Sequence, residues 1–470
     1  MASRVTQEAI EPVVAPNANV RVTQEVIEPV VSPNSNVRLT QEVIEPVISP
    51  ASNVRVTQIA LEPVVSPLSN VRVTQLTLEA CVEELPTIPA PAGTQYARLP
   101  YSSVTADPVQ TLTGAYLYQH TDIAIAGRGP SPMFRRACSS IDTRATAGLS
   151  QGWTHNYAIN LASPGDGTLD VILMGPDGRS DRYVHNLDGS YTAPPAVYTT
   201  LVKNADTTYT ATLPNQTTWT FRADGRLTTI DDRYGNQSAL TYNSAGQLTS
   251  VSDPAGRGAL SFTYSTPGAQ LTSVSDWLSP ARTVQFAYDS SGRLHTVTDR
   301  NGKVTTYGYD GSSSRLTTIT DANGHVAITN AYDSSGRVQT QKDALGLTTG
   351  QTTSFGYVTN GDGTKTTTIT YPTTSFESTF NPTVAETYDT SGRITTRVSK
   401  PSSTETYTET YAYDSNNNRV SVTDARGNTT NFCYDVDYTG AAISGSHGNL
   451  TRRIDPPPAA GANRPVTLFK

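Results

Sequence analysis

The stretch YDSSGRLHTVTDRNGKVTTYGYDGSSSRLTTITDANGHVAITNAYDSSGRVQTQKDALG, from Tyr288 to Gly346, decides the fold. A Tyr-Asp pair, a Gly-Arg restart and a second Asp-x-x-Gly segment return in order. Tyr288, Tyr309 and Tyr332 stand 21 and 23 residues apart, and Asp253, Asp276, Asp299, Asp321 and Asp343 step by 23, 23, 22 and 22. Self-similarity at a period of about 20 to 50 residues marks a repeat architecture.

Each period holds two runs rich in Thr, Tyr, Val, Ile and Leu, which suit a pleated surface. Asp289–Gly292, Asp310–Gly311, Asp321–Gly324 and Asp333–Gly336 separate them. Asp bonds the backbone two residues on, and Gly takes the positive φ of a tight reversal. One period therefore reads as a β-hairpin. A lone hairpin is marginal in water. A buried tyrosine hides about 150–250 Å², an upper bound of about 4–6 kcal/mol, but only when hairpins stack. The fold expected is all-β: antiparallel hairpins coiling into one curved or spiral sheet, a partial shell. One detail resists. Leu294 and Val297, or Leu316 and Ile319, are three apart and point to opposite faces of a regular strand. Either both faces are partly covered or a bulge shifts the register.

The pattern resembles the YD repeat of the RHS-repeat family of polymorphic toxins. It stands as Tyr288-Asp289…Gly292-Arg293-Leu294, Tyr332-Asp333…Gly336-Arg337-Val338 and Tyr388-Asp389…Gly392-Arg393-Ile394, with Tyr309-Asp310 between and a weaker Tyr413-Asp414…Arg419-Val420. The resemblance implies a hollow β-shell around a toxic C-terminal domain. Ahead of the repeats, DPVQTLTGAYLYQHTDIAIAGRG carries Asp107, Pro108, Gly114, Gly127 and Gly129, and GWTHNY carries Gly152, Trp153, His155 and Tyr157. Both pieces are similar to the opening domain of RHS proteins, which implies a β-rich cap with Trp153 as a core anchor.

Working outward, residues 1–82 hold a different repeat of period 17. RVTQEAIEPVVAPNANV (Arg4–Val20) returns from Arg21, Arg38 and Arg55, with a frayed copy at Arg72. Val20, Val22, Val26 and Val30 keep one parity, with Arg21, Thr23 and Glu25 on the other, which reads as strand; Pro29 favours an edge or a break. In-register stacking would align Arg21, Arg38, Arg55 and Arg72 in one column and Glu11, Glu28, Glu45 and Glu62 in another. The copies read as a stalk or attachment module, or as a spacer with no partner. Residues 83–106 read as a Pro/Ala-rich linker, 107–220 as the opening domain, 221–434 as YD repeats and 435–470 as an irregular tail. The processing core and variable toxin that the resemblance leads one to expect are not in these 470 residues. The sequence thus resembles the front part of such a protein, or a relic of one.

Hydrophobic residues make up 36% and charged residues 16%, which fits an extended sheet wet on one side. Net charge is −7 and no Lys/Arg run exists, which argues against nucleic acid as a partner. No apolar run reaches the length of a membrane span, and MASRVTQEAI has no signal-peptide core. Cys81, Cys138 and Cys433 are far apart and read as isolated thiols rather than a disulfide framework or a metal knuckle.

No catalytic, cofactor or metal motif emerges. His120, His155, His185, His295, His325 and His447 form no ligand spacing. Asp414-Ser-Asn416-Asn-Asn418 resembles half a calcium loop, but Arg419 and Ala425 stand where Gly and Glu are required. Asp166-Gly167 and Asp362-Gly363 read as plain turns. The function expected is a non-enzymatic wall segment of a secreted or cell-surface toxin-delivery protein, reached by a specialised export route. Its partner is the enclosed toxin. The rival is a carbohydrate-binding adhesin that stacks exposed repeat tyrosines on cell-surface glycans. A third reading, an enzyme hidden in 100–220, needs His and carboxylates converging near His120 or His155.

Overall fold

The structure, a computed structural model, describes residues 103–145, 148–265, 270–373, 377–436, 448–458 and 462–469, with the backbone of short strands between 2 and 73. The chain forms two compact units. One comprises Met1–Glu83, Asn428–Ile443 and Leu450–Lys470; the other comprises Glu84–Gly427 and Ser444–Asn449.

In the first unit each 17-residue copy starts a parallel strand. Ala2–Thr6, Asn19–Thr23, Asn36–Thr40, Asn53–Thr57 and Asn70–Val73 form a five-stranded sheet. The register sets Arg4 against Arg21, then Arg38, Arg55 and Arg72, because a fixed period returns the same residue to the same rung. The single strand expected from Val20 to Val30 is two: Val30–Val31 pairs instead with Val47–Ile48, and that with Val64–Val65, in a separate sheet. Pro29 and the glutamates at 11, 28, 45 and 62 lie outside the described residues, as does the linker up to residue 102. The tail expected to be irregular carries Leu450–Ile454 and Val466–Leu468, an antiparallel continuation of Thr429–Tyr434. Cys433 is disulfide-bonded, against the expectation of isolated thiols; Cys138 is free and buried.

The second unit joins the opening domain to the repeats. Strands Val109–Gln110, Ala115–Ala124, Met133–Ser139 and Trp153–His155 form one small antiparallel sheet, and Asn160–Ala162, Val171–Met174, Ser180–His185 and Tyr191–Thr192 another. The long sheet begins at Thr200–Lys203, inside the segment read as opening domain. From there to Arg419–Thr423 each strand pairs antiparallel with the next, in a linear order that does not return to its start. Among the described residues the one helix is Ala344–Thr349, capped by Asp343 accepting from the Gly346 amide at 2.6 Å.

The three-residue spacing is explained by a bulge. Ala287 faces Thr296 and Tyr288 faces Leu294, so His295 is an extra residue. The same slip falls between Thr241 and Tyr242, Thr263 and Tyr264, Gly308 and Tyr309, and Ala331 and Tyr332. Each slip turns the leucine or valine that follows the turn back onto the core face. Leu294 (0% exposed) and Val297 (4%) thus pack together with Val284 and Phe286. At several bulges the extra residue is a threonine whose hydroxyl bonds the carbonyl across the bulge: Thr228 to Thr220, Thr249 to Thr241 and Thr272 to Thr263, each at 3.0 Å. A hydroxyl donor thereby replaces the ladder donor that the bulge displaces.

Candidate functional site

The tyrosine–aspartate turns line one side of the long sheet, and their chemistry repeats. Asp289 Oδ1 accepts from the Ser291 and Arg293 amides, both at 2.9 Å, and Oδ2 from Arg293 Nε at 2.8 Å. Gly292 takes a φ of +75° to close the loop. Asp333 with Arg337, and Asp389 with Arg393, reproduce this arrangement. Partial burial alone would raise the Asp289 and Asp333 carboxyls. The following arginine's amide and guanidinium outweigh it and hold both below their ordinary value.

Each arginine then reaches the next repeat. Arg293 lies 4.8 Å above the Tyr309 ring, Arg315 5.7 Å above Tyr332, Arg337 4.5 Å above Tyr357 and Arg393 5.4 Å above Tyr413. The tyrosine hydroxyls point back. Tyr288 donates to the Leu271 carbonyl (2.7 Å), Tyr309 to Leu294 (2.5 Å), Tyr332 to Leu316 (2.6 Å) and Tyr357 to Val338 (2.7 Å). Burial pushes the Tyr288, Tyr309 and Tyr332 hydroxyls above their ordinary value, so they stay protonated donors. The repeats of Tyr309, Tyr332 and Tyr357 are thus each tied to their predecessor by one arginine and one hydroxyl. Tyr288, Tyr309, Tyr332 and Tyr413 are half-buried. Tyr388 is fully buried and breaks the series: its hydroxyl meets Glu386 at 3.0 Å and Thr111 at 2.5 Å.

The opening domain docks along this seam. Leu271, Leu294 and Val338 follow the turns, and their amides find acceptors there: the Gly148 carbonyl at 2.8 Å, Ser150 Oγ at 2.9 Å and the Gly114 carbonyl at 2.8 Å. Gly114 is required twice over. Its φ is +72°, and a Cβ would stand 2.4 Å from Arg337 Cβ. Gly127 sits against Arg257, Gly129 against Asn236 and Gly152 against Ser314. Trp153 is fully buried, its Nε1 donating to Tyr309 at 3.0 Å. Tyr157 accepts from the Met133 amide, and the Pro108 carbonyl accepts from Leu117. Asp107 is exposed.

Two buried polar clusters at this contact went unread in the sequence. Arg136 is 1% exposed; Nε and Nη2 reach Asp122 at 2.6 and 2.9 Å, and Nη1 donates to Tyr307 at 3.1 Å. Its guanidinium lies over Trp153, Phe286 and Tyr307. Burial alone would raise the Asp122 carboxyl, but Arg136 holds it below its ordinary value. In the second cluster, Thr111 Oγ1 donates to the buried Glu386 at 2.6 Å, and Thr367 to the Thr111 carbonyl at 2.5 Å. Nothing in the Arg135-Arg136 pair or in Ala385-Glu386-Thr387 announces either. The earlier repeat tyrosines were legible, however: Tyr242-Asn243…Gly246-Gln247-Leu248 is the same motif with a neutral pair, and Asn243 Oδ1 accepts from the Ala245 and Gln247 amides at 3.0 Å.

The histidines do not converge. His120, with its side chain 53% exposed, bonds Asp122 at 3.0 Å; His155 is buried between Phe134 and Phe262. His185 packs on Tyr191, His295 bonds the Tyr307 carbonyl, and His325 is exposed. His447 lies outside the described residues. Among the described residues, no group of three His, Cys, Asp or Glu could hold a metal, and no helix is long and apolar enough to cross a membrane. The Asp414 oxygens are taken by Asn416 and Asn418 within their own turn.

Comparison with known proteins gives a domain of unknown function, DUF6531, over residues 106–183 and the RHS Repeat over 223–257 and 288–326. A curated relative, the tRNA3(Ser)-specific nuclease WapA of Bacillus spizizenii, is 30% identical over 94 residues, which is 20% of this chain and 4% of the relative. Among solved structures, the crystal structure of TcdB2-TccC3 is similar with a TM-score of 0.37 and 15% identity, over 64% of this chain and 19% of that one. The Tc holotoxin pore of Photorhabdus luminescens follows at a TM-score of 0.32 and 15% identity, over 64% and 22%. The chain therefore spans a small part of the length of the proteins it matches. The chain thus carries RHS repeats, with a DUF6531 match ahead of them, where the sequence places its YD turns and its opening domain.

Proposed function

We propose that this chain is a wall segment of a secreted or cell-surface toxin-delivery protein, that the wall encloses a C-terminal toxin, and that these residues perform no catalysis of their own. The observation that carries the reading is the continuous tie between repeats. Arginine on ring and hydroxyl on carbonyl link the hairpins of Tyr309, Tyr332 and Tyr357 to the ones before them, and the opening domain binds along the same turns. Such an arrangement resists opening of single hairpins, which a wall around a toxic passenger requires. It also favours the wall over the adhesin, because each stacked ring already has an arginine on one face.

The test is protection. The complete reading frame is expressed and digested with protease under native conditions, and the C-terminal passenger is followed by mass spectrometry. The passenger is expected to survive far longer than it does when expressed alone. Equal digestion rates refute enclosure. In parallel, purified residues 1–470 are expected to leave transfer RNA intact; turnover of that substrate refutes the non-enzymatic assignment.

A further inference from the structure

A cavity of about 220 Å³ lies inside the second unit, where Tyr157–Asn160 of the opening domain faces the turns around Arg226 and Gly246. An apolar cavity of about 150 Å³ holds benzene, so this one has room for a six-membered ring with substituents. Its lining is mixed. Tyr157, Tyr242 and Tyr264 contribute aromatic surface, and their hydroxyls are already engaged with the Met133 amide and the Leu227 and Leu248 carbonyls. Tyr242 and Tyr264 donate their protons to those carbonyls and so offer rings rather than donors, whereas Tyr157 accepts in its bond.

Asn160 also lines the cavity, and its Oδ1 is buried with no hydrogen-bond partner. A buried carbonyl oxygen without a donor is costly, and the donor it lacks must be an O–H or N–H. A sulfate, which only accepts, does not satisfy it. A cation finds no carboxylate among the lining residues. Arg226, paired with Asp224 at 3.1 Å, places a donor at the same cavity. Donor, acceptor and aromatic wall together match a hydroxylated ring: C–H faces against tyrosine, one hydroxyl donating to Asn160, another accepting from Arg226.

We propose that this cavity is a binding site for a pyranose-sized sugar. It is built at the junction of opening domain and repeats, and it does not use the row of repeat tyrosines from Tyr288 onward. A ring of about a dozen non-hydrogen atoms at ordinary ligand efficiency binds at about millimolar affinity.

The experiment is saturation-transfer NMR and calorimetric titration of residues 1–470 with the methyl glycosides of glucose, galactose, mannose and N-acetylglucosamine, with cyclohexanol as the hydroxyl-poor control. At least one glycoside is expected to bind and cyclohexanol to bind more weakly. Asn160→Leu is expected to weaken that glycoside by about tenfold or more with an unchanged melting temperature. Ala158→Leu fills the cavity without altering Asn160, and keeps the test decisive if Asn160→Leu fails to fold. Binding of none of the four at about ten times the expected constant, or equal binding by the parent and the folded variant, overturns the site.

Discussion

Replacing Arg136 by Met tests whether the opening domain is held to the repeats by a buried charge. The substitution keeps an unbranched side chain in a site that is 1% exposed, so packing changes little. The ion pair with Asp122 is lost, with the bond to Tyr307 and the cation above three rings. The Asp122 side chain is only 3% exposed, and a carboxylate left there without its cation costs about 3–5 kcal/mol. The companion Arg136→Met/Asp122→Leu removes both charges and is expected to recover most of the loss, since apolar replacement of a buried pair is often neutral or better.

The sign of the pH dependence follows. In the parent, Asp122 has a lowered folded pKa, so its contribution is present above the unfolded value of about 3.9 and lost as pH falls through the folded one. In Arg136→Met, burial acts unopposed and raises it, so the penalty is full near neutrality and relieved as pH falls toward the unfolded value. The assay is urea unfolding followed by tryptophan emission at neutral and at acid pH, because Trp153 lies 5.3 Å from the guanidinium. A loss under about 1 kcal/mol in the single variant, or a double variant no better than the single, refutes the reasoning.

Three other outcomes are expected. Tyr309→Phe removes a donor to Leu294 and an acceptor for Trp153, so it should cost about 1–3 kcal/mol, more than Tyr357→Phe, which loses the single bond to Val338; equal thermal shifts contradict this. Gly114→Ala meets both a left-handed φ and Arg337, should cost at least about 2 kcal/mol, and should expose the Val338 amide to hydrogen exchange; unchanged protection there contradicts the docking. Asp289 and Asp333 have lowered folded pKa values, so their stabilisation holds above about pH 4 and disappears as pH falls through those values. An acid titration of Asp289→Asn/Asp333→Asn should therefore show a smaller stability loss than the parent; parallel curves contradict it.

Much of this molecule was legible from spacing. Period and turn chemistry are local properties, and Asp289, Gly292 and Arg293 lie within one loop whose bonds span at most four residues. The hairpin and its antiparallel direction follow from that alone. The spacing of Leu294 and Val297 left two answers open, both faces covered or a bulge, because the extra residue is defined only by what it fails to face on the next strand.

The first strand of the long sheet escaped as well. Thr200–Lys203 carries no Tyr-Asp turn, and only its partner Tyr209–Thr212 makes it part of the wall. Sequence alone determined which residues reverse the chain and how often. The tertiary structure decided what those turns hold: Arg136 with Asp122 and Tyr307, Thr111 with Glu386, and Asn160 at its cavity. These partners lie as far as 275 residues apart, and which of them meet depends on the stacking of all the hairpins between.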